Sequence, residues 1–245
     1  MKVAILGTGK MGGTLGMLLA SSGIDIVYGS RDAIETKEKF SDYKNIYVTT
    51  YSDAIDKSDV IIIATPWAFT IDLLSEFKLK FDGKIVVDMT NPLSPDVSSL
   101  TVGGNDSSAE RIKDVLPDAH IVKSFNAITA DNLPEPICHN EKTQAFYCSD
   151  HEDARNTAKQ LIEVLGYEPV DCGALTNARY LESMAMLWIQ LAFWEDRGSD
   201  LRFKMINVAV AIPLTSMFAV ACTEREQYVA LKSVLRSFPA SLAGK

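Results

Sequence analysis

Hydrophobic residues in this chain alternate between short continuous runs and stretches in which they recur three and four positions apart. Residues 2–6 form such a run, and residues 11–22 carry apolar side chains at helical spacing, so the chain opens as strand, turn and helix. The same reading predicts strands at 25–29, 46–49, 60–64 and 85–88, with helices at 33–40, 52–57 and 67–77 between them. Every position of 60–64 is apolar, as a central parallel strand covered on both faces requires. Ser107-Ser108-Ala109-Glu110 has the spacing of a capping box, and its helix should stop before Pro117.

Further strands are expected at 121–124, 143–148 and 167–171, with His120 at the start of the first. A loop holding Pro134 and Pro136 lies between them, and a helix over 154–165 is closed by Gly166. Residues 177–194 carry the longest apolar-rich helical pattern, with more apolar surface than one sheet face needs. Strands alternating with helices predict an α/β fold: a doubly wound, mostly parallel sheet with a helical C-terminal part. The expected division is 1–175 for the sheet domain and 176–245 for the helical part, packed on the same core and in a dimer interface.

Composition narrows the partners. Lys and Arg total 24 against 32 for Asp and Glu, a formal charge of −8 without a long basic run, which argues against nucleic acid. A strand starting at residue 2 leaves no room for a signal peptide, and four cysteines without CxxC spacing (Cys138, Cys148, Cys172, Cys222) suit a reducing compartment. The expectation is a cytoplasmic protein. The most apolar stretch, 205–222, contains Asn207, Pro213, Thr215 and Ser216 and reads as a buried strand and helix, not a membrane span. Cys138, His139, Cys148 and His151 are too irregularly spaced for a metal site, and no metal is expected.

The chemistry lies in the turns. Gly7-Thr8-Gly9-Lys10-Met11-Gly12 fits G-x-G-x-x-G between the first strand and the first helix, where glycines allow a tight turn and close approach to a pyrophosphate. The helix amino end adds free N–H groups and partial positive charge. This is the Rossmann-type dinucleotide arrangement. At the tip of the second strand an NAD site normally has an acid; here stand Ser30 and Arg31, suited to a 2′-phosphate, so NADP(H) is the expected coenzyme. Asp32 is the alternative ribose reader, and Lys37 is either an added charge or a plain surface residue.

A second substrate belongs beyond the carboxyl ends of the strands. Ala64-Thr65-Pro66-Trp67, Asp88 to Leu93 with Asn91, and Lys123 to Ile128 with Asn126 and Ala127 follow the fourth, fifth and sixth strands. The two asparagines suit a carboxamide or a flavin-like ring edge, while Asn91 before a proline is equally a turn residue. With Gly29-Ser30-Arg31, Gly173-Ala174-Leu175, Ala178-Arg179 and Leu181-Glu182, these pieces run in order over residues 1 to about 208. Together they resemble the NADPH-dependent reductases of the deazaflavin coenzyme F420, the F420:NADP oxidoreductases. The resemblance implies a homodimer with NADP(H) on the N-terminal loop and the hydride acceptor near the segments after strands four to six. Residues after about Ile212 look like an extension of the family core.

Transfer between a nicotinamide and a deazaflavin or flavin is carried by the two rings, so no catalytic side chain is expected. A keto-acid or imine reductase would instead need a general acid, for which Lys123 is the candidate, since the helix after Asn177 has no lysine or histidine before Trp194. A non-catalytic NADP(H)-sensing module is the third reading. The partner in the first two is a small-molecule acceptor.

Overall fold

The computed structural model describes residues 1–206, and Met1–Met205 form one structural unit. Among the described residues are ten strands and seven α-helices; all seven helices and eight of the strands follow one another in the predicted order. The elements are β1 (Lys2–Leu6), α1 (Lys10–Ser21), β2 (Asp25–Gly29), α2 (Ala33–Lys39), β3 (Ile46–Thr49), α3 (Tyr51–Asp56), β4 (Val60–Ile63), α4 (Trp67–Glu76) and β5 (Ile85–Asp88). Then come α5 (Ser108–Val115), β6 (His120–Ser124), β7 (Ile137–Cys138), β8 (Glu141–Lys142), β9 (Gln144–Ser149), α6 (Glu152–Val164), β10 (Glu168–Asp171) and α7 (Ala178–Ile189). A π-helical turn, Gln190–Trp194, continues α7.

Eight strands form one sheet in the order β10-β9-β6-β5-β4-β1-β2-β3. All neighbours are parallel except β6 and β9, so the sheet is the doubly wound, mostly parallel one expected. From β1 the chain winds outward to β3, then returns to the other side of β1 as β4 and winds away again. That reversal leaves a cleft at the carboxyl ends of β1 and β4, the place where such sheets bind ligands.

All four residues of β4 are buried, as are four of five in β1 and β2. A fully buried Ile or Val side chain contributes roughly 1.5–3 kcal/mol. One face of the sheet is covered by α1 and α6, whose Leu15, Leu19, Leu161 and Ile162 join Ile5, Ile26 and Val122. On the other, Ala54, Leu74, Ile112, Ala178 and Leu181 cover Leu6, Ile61 and Val86, so α7 is part of the same core as the sheet. Among the described residues no helix is long and apolar enough to cross a membrane, and the apolar stretch at 205–222 falls almost wholly outside them.

The loop at 134–142 contains a small hairpin that the sequence reading treats as irregular. His139 and Asn140 hold φ of 50° and 63°, the paired left-handed residues of a two-residue hairpin turn, without the Asn-Gly signature that normally betrays one.

Packing of α1 on β2 depends on the absence of a side chain at Gly16, where an added Cβ would lie 2.1 Å from the Tyr28 hydroxyl. That hydroxyl donates to the Gly12 and Gly13 carbonyls at 3.0 and 2.9 Å, fixing the helix that carries the loop. Gly16→Ala should therefore destabilise the protein by about 1–3 kcal/mol, seen as a lowered midpoint in chemical denaturation. Adding Tyr28→Phe, which removes the obstructing oxygen, should recover part of the loss; an unchanged midpoint in Gly16→Ala would show that the close packing is not real.

Candidate functional site

The three loop glycines are required for three different reasons. Gly7 has φ 114°, and a Cβ there would lie 2.6 Å from the Ala64 carbonyl oxygen. At Gly12 a Cβ would fall 2.2 Å from the Gly7 carbonyl and 2.9 Å from the Ala64 Cβ, so β1, α1 and β4 close on one another at this point. Gly9 is exposed, and a Cβ there would meet nothing within 4 Å. The first two are needed to build the turn; Gly9 keeps open the space above it.

Gly9 also caps α1, and no side chain completes the cap. Asp32, Thr50 and Ser107 do so for α2, α3 and α5. Pro66 leaves α4 without a side-chain cap as well. The helices following the adjacent central strands β1 and β4 thus both offer unfilled N–H groups, with their partial positive charge, at the cleft. An open backbone cradle and free helix donors fit a dinucleotide pyrophosphate.

Around this cradle Thr8 is half-buried, Met11 packs against the core beneath α1, and Lys10 is exposed with its ammonium 2.7 Å from Asp131, in the loop after β6. Ala64 continues the β4 pairing through its N–H to Leu6, while the Thr65 hydroxyl is turned toward Thr70 at 2.9 Å, and Pro66 is exposed. Trp67 is partly buried against the core.

At the tip of β2 the structure separates the three polar residues. Asp32 accepts the Glu35 N–H at 3.0 Å through Oδ1 and so caps α2. The Ser30 hydroxyl bonds to Thr36 at 2.8 Å and to the Asp32 backbone, shaping the turn that presents Arg31. Arg31 and Lys37 are exposed. Tyr51, unremarked in the sequence, lies under the tip: a Cβ on Gly29 would come within 2.9 Å of its ring. Burial raises its phenol pKa, opposed by the nearby Arg31 charge.

Beyond β5 and β6, Asn91 and Asn126 clasp each other. The Asn91 amide donates to the Asn126 carbonyl at 2.8 Å, and the Asn126 amide donates to the Asn91 side-chain oxygen and to the Leu181 carbonyl, both at 2.9 Å. The residue between β6 and this clasp, Phe125, is 1% exposed and left-handed at φ 59°. A bulky residue so strained costs on the order of 1–3 kcal/mol and is held by its surroundings. The turn at Phe125 delivers Asn126 to Asn91, with Ala127 and Ile128 lining a small pocket together with Gln144, Arg202 and Phe203.

Beneath the clasp lies a buried ionic cluster. Lys123 is 0% exposed, and its ammonium donates to Asp88 (2.9 Å), Glu182 (2.8 Å), the Ser108 hydroxyl (2.8 Å) and the Thr90 carbonyl. Glu182 also accepts the Ser108 N–H at the amino end of α5, and Asp88 accepts both the N–H and the hydroxyl of Thr90. Burial pulls the lysine pKa down, but the two carboxylates together carry it above the ordinary value. A lysine so enclosed cannot act as a general acid, which corrects that assignment. Its place is structural: it joins β5, β6, α5 and α7 directly under the cleft. Nearby, Glu110 forgoes the reciprocal half of its capping box for a two-pronged pair with Arg179 on α7 (2.8 and 2.5 Å).

Cys138 and His139 sit in the β7–β8 hairpin, Cys148 is buried in β9 and His151 precedes α6, so these four residues are spread over separate elements.

Sheet order, glycine cradle and uncapped central helices define a Rossmann-type dinucleotide-binding protein. The family described as "NADP oxidoreductase coenzyme F420-dependent" matches residues 2–92. The F420-dependent NADP reductase of Methanothermobacter marburgensis is 32% identical over 209 residues, covering 78% of this chain and 92% of that protein. Metalloreductase STEAP3 of Rattus norvegicus is 29% identical over 185 residues, 76% of this chain but 36% of its own length. A crystal structure from Arthrobacter sp. FB24, described as an F420-dependent NADP-reductase, has a TM-score of 0.78 at 26% identity, over 84% of this chain and 100% of that one. The chain belongs to the family of F420-dependent NADP reductases and is an NADP-dependent oxidoreductase.

Two substitutions probe this geometry. Gly9→Val should leave the thermal midpoint close to that of the parent while weakening NADPH at least about tenfold, about 1.4 kcal/mol; full NADPH affinity would mean that nothing binds against Gly9. Lys123→Met leaves two carboxylates buried together and should destabilise by about 3–5 kcal/mol, read by chemical denaturation, with Glu182→Gln in the same chain restoring part.

Proposed function

We propose that the protein moves a hydride between NADP(H) and coenzyme F420 in the cleft beyond β1, β4, β5 and β6. The carrying observation is the pairing of the open Gly9 and uncapped α1 with the exposed Arg31 at the next strand tip. In this reading Gly7, Thr8, Gly9, Lys10, Met11 and Gly12 hold the pyrophosphate, and Arg31, presented by Ser30, holds the 2′-phosphate. Ala64, Thr65 and Pro66 flank the coenzyme. Asn91, Asn126 and Ala127 border the nicotinamide and the acceptor. Residues 1–175 supply the coenzyme side, and the described residues of the helical part, 176–205, close the acceptor side and form a dimer contact.

When bound, NADPH supplies the hydride and F420 accepts it, chemistry that resides in the two rings. The chain's residues align the rings and keep water from between them. The locked Asn91–Asn126 clasp and the strained Phe125 suit that work, because a preset wall needs no rearrangement when the ligand arrives. The proton that balances the hydride, taken up when the ring is reduced, comes from solvent, so no side chain needs to supply it, and the enclosure of Lys123 agrees with that.

Exposed Tyr180, Leu187, Phe193 and Trp194 on and after α7 form an apolar surface that we assign to a homodimer contact. Light scattering of the eluted protein should give the mass of two chains, and a clean monomer would overturn that assignment. We place the protein in the cytoplasm, in keeping with the free thiols of Cys138, Cys148 and Cys172.

The direct test is NADPH oxidation with F420 as acceptor, followed by loss of the deazaflavin absorbance. F420 should be reduced, while keto acids and imines leave NADPH unchanged; an inert F420 would overturn the proposal. Arg31→Ala should weaken NADPH by roughly 10–150-fold, the worth of one charge-assisted contact of about 1.5–3 kcal/mol, without weakening NADH. Equal affinity of the intact protein for the two coenzymes would contradict the role given to Arg31.

A further inference from the structure

At the amino end of β6, the end remote from the cleft, two imidazoles and a carboxylate come together. His120 is the first residue of β6, His151 precedes the first turn of α6, and Asp153 lies within that turn. The rings stack with centroids 4.1 Å apart and planes within 11° of parallel. His120 Nδ1 lies 2.6 Å from Asp153 Oδ2. One ligand atom from each of the three residues lies within 4.8 Å of the other two. We propose that His120, His151 and Asp153 form a binding site for a divalent transition cation of the zinc type.

The ligand set selects that class of ion. Imidazole nitrogen suits zinc, nickel and copper, whereas magnesium and calcium take oxygen shells. Three protein ligands leave a fourth position for water. A tetrahedral shell with bonds of about 2.1 Å places its ligand atoms about 3.4 Å apart, so the group closes on an ion through side-chain torsions. The supporting backbone is already fixed. Asp153 Oδ1 accepts the Ala154 N–H at 2.8 Å, and the His151 N–H donates to Ser149 Oγ at 3.1 Å. All three side chains are at least partly solvent-accessible, so an ion can enter from water.

The charges around the group permit a cation. Lys113 of α5 is the positive neighbour, and it is paired with Asp150 at 2.6 Å. Asp150 in turn accepts the Leu175 N–H at 3.1 Å, which keeps it and its lysine in place. Asp153 pairs instead with His120, a member of the group itself. A bound ion would tie the start of β6 to the start of α6, two points 31 residues apart. The coenzyme cleft lies at the other end of β6, about 13 Å away along a five-residue strand, so the ion acts on stability and leaves coenzyme binding alone.

Calorimetric titration of Zn²⁺ into the chelator-treated, tag-free full chain tests the site. One ion per chain should bind with micromolar affinity, and the thermal midpoint should rise by roughly 5–10 °C at a hundredfold excess over Kd. His120→Ala or His151→Ala should abolish both effects, Asp153→Asn should weaken binding at least tenfold, and NADPH affinity should be unchanged in all three. In the unsubstituted protein, NMR should show the ring signals of His120 and His151 responding to Zn²⁺ while those of His139 stay in place. Absence of saturable binding, binding that survives in the histidine variants, or a response of His139 alone would overturn the proposal.

Discussion

An ammonium taken wholly out of water is the constraint around which the lower wall of the cleft is arranged. Removing an ion from water costs several kcal/mol, and Lys123 is tolerated because Asp88, Glu182, Ser108 and Thr90 surround it with acceptors. The cluster draws on four segments: Asp88 and Thr90 lie at the end of β5 and just after it, Lys123 is on β6, Ser108 opens α5 and Glu182 projects from α7. The cluster can form only when these four segments meet. It therefore fixes where β5 and β6 end, and the turn through Phe125 to the Asn91–Asn126 clasp is built on that foundation.

The coenzyme side rests on a different principle, the absence of side chains. Gly7, Gly12 and Gly16 let three backbones and one tyrosine approach to distances that any Cβ would prevent, whereas Gly9 faces open space. Tight packing below and vacancy above are what a phosphate cradle needs. The two halves of the cleft thus combine a rigid ionic floor with a bare backbone rim, and both are set before any ligand arrives.

Most of the fold is legible from hydrophobic spacing because each strand and helix is a local pattern with its own punctuation. The all-apolar β4, the glycine turn into α1 and the Gly166 stop after α6 are of this kind. The coenzyme loop is equally local, a six-residue motif between two elements. Contacts between distant segments are not legible in this way. Lys123 reaches partners 35 and 59 residues away, and nothing in its neighbourhood separates a buried tether from a general acid. The His120–His151 stack joins residues that look like an ordinary strand start and a helix cap. The β7–β8 hairpin escapes notice because His139 and Asn140 adopt a turn that Asn-Gly would normally announce.

If the cleft does no more than align two rings, the hydrogen removed from NADPH must arrive on F420 without passing through a side chain or water. NADPH carrying deuterium on the transferred face, incubated with the protein and F420 in ordinary water, tests this most directly. The account predicts one deuterium per reduced F420 by mass spectrometry, undiluted by solvent hydrogen. Reduced F420 lacking the label, or labelled only when the water itself is deuterated, would contradict it.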